Sequence, residues 1–288
     1  MLPKYPLFIV SKGRAESRLT SRALERQGTP YRVVIEQSDF DSYSAVIDPS
    51  KLLILPERYL DEYDVFDDLG RTKSTGPGAA RNFVWDTAQK EGHSRHWVMD
   101  DNIRDLWRLN RNRLFKCHTP SFWRAMEEFC DRYTNVSMAG PNYYMFAPRK
   151  AKIPPFVMNT RIYSCNLVST DAPYRWRGRY NEDTDLSLRM LKDGLCTIQF
   201  NAFLQDKVTT QLLKGGNSAE FYSKEGTYPK SRMQVAMHPD VSRIVHRFGR
   251  IHHCVNYAPF RKNRLRKTKG RDIEPFDSDM VLVRSRGE

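Results

Sequence analysis

LFIVSKGRAESRLTSRALERQGTPYRVVI, residues 7–35, contains a complete strand–helix–strand pattern. The apolar run Leu7–Val10 is typical of a buried strand. Apolar side chains recur at helical spacing over residues 15–27, and Gly28 ends that pattern. The β-branched residues at 31–35 indicate a second strand. Two strands with a helix between them predict a right-handed βαβ unit with parallel strands.

The alternation of strands and helices continues to residue 102. Residues 51–55 are another short apolar run, residues 74–78 form a glycine-rich loop, and residues 79–89 have apolar side chains on one helical face. Trp97-Val98-Met99 predicts a further strand. This order predicts an α/β, Rossmann-like fold, with a mostly parallel central sheet flanked by helices.

The second half of the chain is less regular. We predict helices over residues 121–133 and 183–194, strands over 161–168 and 197–203, and a long loop over 213–231. The composition changes near the C-terminus, where seven of the eleven residues from 261 to 271 are Lys or Arg and none is acidic. We therefore expect one domain over residues 1–240 and a basic extension over residues 241–288.

The chain of 288 residues has a formal net charge of +13, from 47 Lys and Arg against 34 Asp and Glu. Such an excess favours a polyanionic partner: nucleic acid, a nucleotide or an anionic membrane. The five Cys are an odd number without a CxxC pair, which argues against a disulfide framework and a thiolate zinc site. The apolar runs are far shorter than a membrane span and the N-terminus lacks the build of a signal peptide, so we expect a cytoplasmic protein.

Asp100-Asp101-Asn102 follows the strand predicted at 97–99. In an open parallel sheet, ligands bind beyond the carboxyl ends of the strands. Adjacent carboxylates repel each other unless a cation lies beside them, and Mg²⁺ or Mn²⁺ commonly binds one or two carboxylates together with substrate phosphates. One interpretation is therefore a metal held for a nucleoside diphosphate. The alternative is that Asp101 or Asn102 caps a helix that begins at Ile103.

Glu182-Asp183-Thr184-Asp185 stands at the start of the helix predicted over 183–194. Acids in the first turn of a helix complement its dipole, which accounts for one or two of these carboxylates. Three in four positions exceed that need, and a carboxylate at a helix start beside a pocket can act as general base for an acceptor hydroxyl. We predict Asp183 as that base, with Glu182 orienting the acceptor.

Gly76-Pro77-Gly78 precedes another predicted helix, which opens Ala79-Ala80-Arg81-Asn82. Glycines before a helix allow its backbone N–H groups to approach an anion. The segment matches neither the P-loop nor the dinucleotide-binding pattern, and a plain turn is the alternative.

Together, these segments resemble those of GT-A glycosyltransferases. They occur in the order Ser11-Lys12-Gly13-Arg14, Gly76…Ala80-Arg81-Asn82, Asp100-Asp101-Asn102 and Glu182-Asp183-Thr184-Asp185-Leu186…Arg189. The last segment is similar to that of the large inverting family of nucleotide-sugar transferases. More narrowly, residues 9–14 and 248–253 resemble the TET-associated glycosyltransferases of bacteriophages, and the resemblance spans roughly residues 5–260. It implies a GT-A fold and transfer of a sugar to hydroxymethylated pyrimidines in phage DNA.

The resemblance also implies a nucleotide-sugar donor, by default a uridine diphosphate sugar, and a divalent metal, Mn²⁺ or Mg²⁺. Asp101 would bind the metal, and His253 would complete the metal site. The motif here is Met99-Asp100-Asp101-Asn102 and not a strict Asp-x-Asp, so either acid could be the direct ligand. Asp183 matches the family's base position, and a single acceptor-side carboxylate predicts inversion at the anomeric carbon. The residues that would bind the donor are Ser11, Lys12, Arg14, Arg81 and Asp100.

The implied acceptor is duplex DNA with hydroxymethylated pyrimidines, first among them 5-hydroxymethylcytosine, in the cytoplasm of the bacterial host; no membrane partner is expected. Lys and Arg side chains that neutralise phosphates supply affinity that is independent of sequence and falls with salt. The predicted DNA contacts are Arg175, Arg177, Arg261, Lys262, Arg264, Arg266 and Lys267. Two alternatives stay open: the same fold acting on a lipid, glycan or protein acceptor, and a non-catalytic nucleic-acid-binding protein whose acids only cap helices.

Overall fold

The computed structural model describes residues 1–66, 76–147, 153–208, 228–247 and 249–270. Within these residues, ten strands form one sheet and two further strands form a separate hairpin. The strands are β1 (Leu7–Val10), β2 (Arg32–Ile35), β3 (Leu52–Ile54), β4 (Arg95–Asp100), β5 (Ile103–Asn110), β6 (Arg113–Lys116), β7 (Val136–Tyr143), β8 (Phe156–Met158), β9 (Cys165–Ser169), β10 (Cys196–Lys207), β11 (Ser242–Arg247) and β12 (Arg250–Val255). The α-helices are α1 (Leu19–Gln27), α2 (Phe40–Ser44), α3 (Glu57–Asp61), α4 (Gly78–Lys90), α5 (Ser121–Cys130), α6 (Glu182–Lys192) and α7 (Tyr228–Met237).

The large sheet has the strand order β3-β2-β1-β4-β9-β7-β10-β5-β6. β8 pairs with residues 198–200, near the start of β10. The four strands β3, β2, β1 and β4 are parallel, and so are β7 and β10. β9 and β5 run antiparallel to their neighbours. The predicted α/β fold with helices flanking a mostly parallel sheet is confirmed, and the antiparallel strands all lie after residue 102, where the regular alternation of strands and helices ends.

The parallel strands are buried on both faces because helices cover both sides of the sheet. Along β1, Leu7 and Ile9 pack in one core cluster with helices α1 and α5. Phe8 and Val10 point to the other face and pack with α4 and α6. A strand buried on both faces must be apolar at every position, which is why Leu7–Val10 is a continuous apolar run and not an alternating one.

Several element boundaries differ from the sequence prediction. α1 begins at Leu19, four residues later than predicted, and α5 ends at Cys130. The strand predicted over 161–168 begins only at Cys165. Residues 228–231, predicted as loop, belong to α7; the rest of that predicted loop from residue 213 lies outside the described residues, as do residues 74 and 75.

The chain after residue 240 contacts the preceding part through buried side chains. Val241 and Phe260 pack in one cluster with Leu188 and Leu191 of α6. The amide of Asn263 donates to the backbone oxygens of Leu191 and Leu195, at 2.8 Å each. The division at residues 240 and 241 stays a prediction. No helix among the described residues has both the length and the apolar character that crossing a membrane requires.

Candidate active site

A cavity of about 460 Å³ lies at the edge of the sheet where β1, β4, β7 and β10 end. The last residues of these strands, Val10, Asp100, Tyr143 and Lys207, all line it. These strands run in the same direction, so their carboxyl ends meet at one edge. Asp183, from the start of α6, lines the same cavity. The two groups of acids that the sequence predicts to act together therefore share one cleft.

Asp100 is held by two cations. Its Oδ1 accepts a hydrogen bond from Nη2 of Arg81 at 2.7 Å, and its Oδ2 accepts one from Nζ of Lys207 at 2.6 Å. Burial opposes ionisation of this carboxyl, but Lys207 and Arg81 outweigh it and hold the pKa of Asp100 well below its usual range. Asp100 is therefore ionised with both oxygens engaged.

Asp101 fastens the turn after β1 to the end of β4. Its Oδ2 accepts from the hydroxyl of Ser11 at 2.7 Å, and its Oδ1 accepts from Nη1 of Arg14 at 2.5 Å. Burial raises the pKa of Asp101 even though Arg14 opposes that shift. Gly13 lies at φ +62°, in the left-handed region that suits glycine, and its N–H donates to Asp39 at 2.9 Å. The turn thereby brings Ser11, Lys12 and Arg14 into the wall of the cavity, where the family resemblance implies a nucleotide pocket.

The residues after Asn102 form a strand and not a helix. β5 begins at Ile103 and pairs with β10, where Ile103 lies opposite Lys207. Asp101 and Asn102 therefore do not cap a helix, and the alternative in which either residue does so is wrong.

The three acids at the start of α6 have three different surroundings. Asp183 is half-buried in the cavity wall, and its Oδ1 accepts from the backbone N–H of Thr184 at 2.8 Å. Oε1 of Glu182 lies 3.2 Å from Nη1 of Arg81, and burial raises the pKa of Glu182 in spite of that cation. Asp185 is fully buried away from the cavity, where it contacts Arg177, Arg189 and His238.

At Gly76 and Gly78, beside and at the start of α4, a side chain would clash with a neighbouring group. A Cβ at Gly78 would lie 1.8 Å from the hydroxyl of Tyr63, and a Cβ at Gly76 would lie 2.9 Å from the backbone oxygen of Arg179. Close packing and a turn account for both glycines. Arg81, one turn into α4, is the residue of this segment that reaches the acids of the cavity.

A comparison with protein-family models matches residues 5–216 to the TET-associated glycosyltransferases. This chain belongs to that family. The match confirms the resemblance predicted from the motifs, and with the sheet described above it supports the GT-A fold class. No curated protein matches the chain.

Two solved structures are similar to this family member. The crystal structure of S. aureus TarS 1-349 in complex with UDP-GlcNAc has 12% sequence identity and a TM-score of 0.48, covering 81% of this chain and 65% of that chain. A second crystal structure of S. aureus TarS 1-349 has 9% identity and a TM-score of 0.41, covering 92% of this chain and 99% of that one. This chain thus spans less than two thirds of the first of these structures.

The carboxylates predicted to hold a divalent metal do not fit one in this family member. Both oxygens of Asp100 are engaged by Arg81 and Lys207, and both oxygens of Asp101 are engaged by Arg14 and Ser11. Among the described residues, no three His, Cys, Asp or Glu side chains lie together as a metal would need. A metal at Asp100 would have to displace the buried Arg81 and the half-buried Lys207 from its two oxygens.

His253, predicted as a metal ligand, does line the cavity from β12. Burial, together with the nearby cations Lys230 and Arg161, lowers its pKa to about 4. The ring is therefore neutral at physiological pH. His252, its neighbour on the strand, is not among the lining residues, as expected from side chains that alternate along a strand.

Two of the predicted DNA contacts pair with acids of the protein itself. Arg175 contacts Asp86 at 2.8 Å, and Arg177 contacts the buried Asp185 at 3.1 Å. A duplex would have to compete with these carboxylates. Their role as DNA contacts stays a prediction.

The other predicted contacts lie on a segment that we call the basic strip, residues 261–267. Its cationic side chains are exposed, while the amide of Asn135 binds its backbone at Arg264 and Arg266, at 2.9 and 2.8 Å. Asn135 directly precedes β7, whereas the cavity lies at the far end of that strand. Eight residues of β7 at a rise of about 3.3 Å per residue place the Arg264–Arg266 part of the strip roughly 25 Å from the cavity.

Sequence reasoning missed several residues of the cavity wall. The most important is Lys207, which lies beyond the strand predicted over 197–203 and ends the longer β10. A charged residue at the carboxyl end of an apolar strand is a usable signal, but the predicted strand stopped four residues short. Ser164, Tyr143 and Arg161 also line the cavity, and no local pattern marks them.

Proposed function

We propose that the chain transfers a sugar from a nucleoside-diphosphate sugar, with uridine diphosphate as the leaving group, to the hydroxyl of a hydroxymethylated pyrimidine in DNA. The observation that carries this proposal is the shared cavity, in which Asp183 faces the same space as Asp100 and the nucleotide-pocket turn. Membership of a glycosyltransferase family supports the class of reaction.

Asp183 has the features of a general base. One of its oxygens is held by the N–H of Thr184, and among the described residues its carboxylate takes part in no ion pair. In the proposed step the acceptor oxygen forms a bond to the anomeric carbon while its proton moves to Asp183. The bond from that carbon to the diphosphate breaks, and its electron pair leaves with the diphosphate oxygen. Attack opposite the leaving group inverts the anomeric centre.

The donor side of the cavity suits a nucleotide. Ser11 and Arg14 are fixed by Asp101, and Lys12 pairs with Glu36 at 2.9 Å at the rim. Among the described residues that line the cavity, seven are Lys or Arg and five are Asp or Glu. The surplus of positive charge favours an anionic ligand such as a diphosphate.

An exposed apolar edge beside the cavity supports a planar acceptor. Phe146 lines the cavity and is 52% exposed, and the adjacent Met145 is 63% exposed. Aromatic side chains at a groove stack on nucleobases whatever their sequence. The net charge of +13 adds the general attraction for phosphates that a DNA acceptor requires.

The test is mass spectrometry of nucleosides from duplex DNA that contains 5-hydroxymethylcytosine or 5-hydroxymethyluracil, after incubation with the chain and a panel of uridine diphosphate sugars. We expect a mass increase of one sugar on the hydroxymethylated nucleoside and none on matched unmodified DNA. Donor consumption without any glycosylated nucleoside would contradict a DNA acceptor while leaving the donor chemistry intact. No consumption of any nucleotide sugar would contradict the reaction class itself.

A further inference from the structure

Lys207 enters the cavity through an irregularity at the end of β10. The pairing of β10 with β5 shifts register between Asp206 and Lys207, so that Lys207 lies opposite Ile103 and residue 104 is skipped. Such bulges re-aim side chains next to functional sites. Asp206 pairs with the exposed Arg104 at 2.8 Å, whereas Lys207 lines the cavity.

The ammonium group of Lys207 is held in a defined place. Its Nζ donates to Oδ2 of Asp100 at 2.6 Å and to the hydroxyl of Ser164 at 2.7 Å, and the hydroxyls of Ser164 and Tyr143 are 2.6 Å apart. The side chain is only 15% exposed. An ammonium has three N–H donors, and the structure gives acceptors to two of them. Among the described residues the third has no acceptor, so it can donate to a ligand in the cavity.

This ammonium contacts Asp100, the last residue of β4 and one of the two acids that could be the direct ligand of the divalent cation implied by the family resemblance. In sugar transfer the metal stabilises the negative charge that develops on the departing diphosphate. A fixed Lys or Arg can do the same work on phosphate oxygens, because it needs no reorganisation as the charge develops. A lysine ammonium is a compact point charge of the kind that binds phosphate.

A second cation of the cavity, Arg161, supports the same role. Arg161 lies with its guanidinium 5.0 Å from the ring centre of Tyr163, and within the described part of the chain it has no carboxylate at ion-pair distance. Arg161 and Lys207 both line the cavity that Asp183 lines. A diphosphate bound by these cations would lie in the same cavity as the candidate base Asp183.

We propose that Lys207, fixed by Asp100 and Ser164, binds the donor diphosphate and stabilises it as a leaving group, in the place of a divalent metal. The inference rests on the proposed function for its substrate, a nucleoside-diphosphate sugar. No proton is transferred from Lys207: as the bond from the anomeric carbon to the diphosphate breaks, the ammonium donates a hydrogen bond to the oxygen that receives the electron pair.

Binding of inorganic pyrophosphate, measured by calorimetry in the presence of EDTA, tests the cation site independently of any sugar transfer. We expect the wild-type chain to bind pyrophosphate under these conditions and Lys207→Met to bind it about 10- to 100-fold more weakly, because a charge-assisted hydrogen bond is lost. Lys192→Met is the matched control, since Lys192 forms an ion pair of similar length with Asp240 outside the cavity, and it should bind pyrophosphate like the wild type.

Two results would overturn the proposal: pyrophosphate binding by the wild type that appears only after Mg²⁺ or Mn²⁺ is added, or unchanged binding by Lys207→Met in EDTA. Thermal unfolding shows whether Lys207→Met folds. If it does not, Lys207→Arg keeps the charge, and the wild-type measurement in EDTA still decides whether the anion site works without a metal. Sugar transfer is then assayed with and without EDTA. Metal-free pyrophosphate binding without any transfer would refute the proposed function and leave the anion site standing.

Discussion

Asp183 and Asp185 are two positions apart on α6 and have opposite surroundings. Residues two apart on a helix are separated by about 200° around its axis, so they cannot share a face. Asp183 faces the cavity, while Asp185 is 0% exposed and lies between Arg177, Arg189 and His238. The two acids therefore have different roles: Asp183 is a candidate base, and Asp185 belongs to a structural ion-pair network.

Asp183→Asn should lower the rate of sugar transfer by about 10²- to 10⁴-fold, the usual contribution of a general base. The amide keeps the size of the side chain, so binding of the nucleotide donor should change little. Steady-state kinetics with calorimetric donor binding checks both parts. Asp171→Asn, at an exposed acid outside the cavity, is the control. Unchanged turnover in Asp183→Asn would remove this residue as the base.

Asp185→Asn should instead lower the free energy of unfolding by about 3–5 kcal/mol, because it removes the fully buried counter-charge of the half-buried Arg177 and Arg189 and of the buried His238. Burial opposes ionisation of Asp185, but His238, Arg189 and Arg177 outweigh it and lower its pKa. A depressed pKa stabilises the fold above the unfolded-state value near 4, and this contribution disappears as pH falls through the folded-state pKa. Urea unfolding at pH 7 and pH 3 should show a difference between wild type and variant that shrinks at the lower pH. A difference independent of pH would contradict this account.

The loops at the carboxyl edge of the sheet determine which ligands can enter the cavity. The turn at residues 11–14 is fastened by Asp101, the start of α4 carries Arg81, and the bulge at the end of β10 presents Lys207. The strands themselves were predictable, because apolar runs and turn residues are local signals. The register shift between Asp206 and Lys207 was not predictable, because it depends on how β10 pairs with β5.

Gly78→Ala distinguishes packing from anion binding at the start of α4. The added Cβ would collide with the ring of Tyr63, so we expect a loss of about 1–3 kcal/mol in the free energy of unfolding. Gly92→Ala is the control: nothing lies within 4 Å of its Cβ, and its positive φ alone should cost about 1 kcal/mol. Denaturant unfolding measures both. Weaker nucleotide binding with unchanged stability in Gly78→Ala would favour an anion-binding glycine instead.

Positive side chains cluster in two distant regions of the described chain. One is the cavity wall, and the other is the basic strip at the opposite edge of the sheet. Because Asn135 holds the strip through its backbone and the Lys and Arg side chains of the strip are exposed, these cationic side chains can be truncated without removing buried contacts. A duplex on the strip would add affinity without positioning the target base.

Arg264→Ala/Arg266→Ala/Lys267→Ala should weaken duplex DNA binding and reduce the slope of log affinity against log salt by up to about 3, at roughly 0.9 per phosphate contact. The turnover number at saturating DNA should stay unchanged, since the strip is remote from the cavity. Fluorescence anisotropy over a salt series provides the slope. A variant without the exposed Arg22, Arg58 and Lys90, on α1, α3 and α4, also loses three positive charges and controls for net charge. An unchanged slope in the triple variant would show that the strip does not contact DNA.

Local patterns in the chain were enough to predict the parallel half of the sheet, the helices that flank it, and the two acid-rich segments that meet in the cleft. This works because apolar periodicity reports burial, and because the ends of parallel strands gather at one edge. Local patterns did not predict which side chains contact those acids. Lys207 reaches Asp100 across 107 positions in sequence, and Arg81 reaches it across 19, so each carboxylate received its neighbours only when the strands paired. Whether an acid binds a metal, fixes a cation or takes a proton depends on those neighbours, and folding alone brings them together.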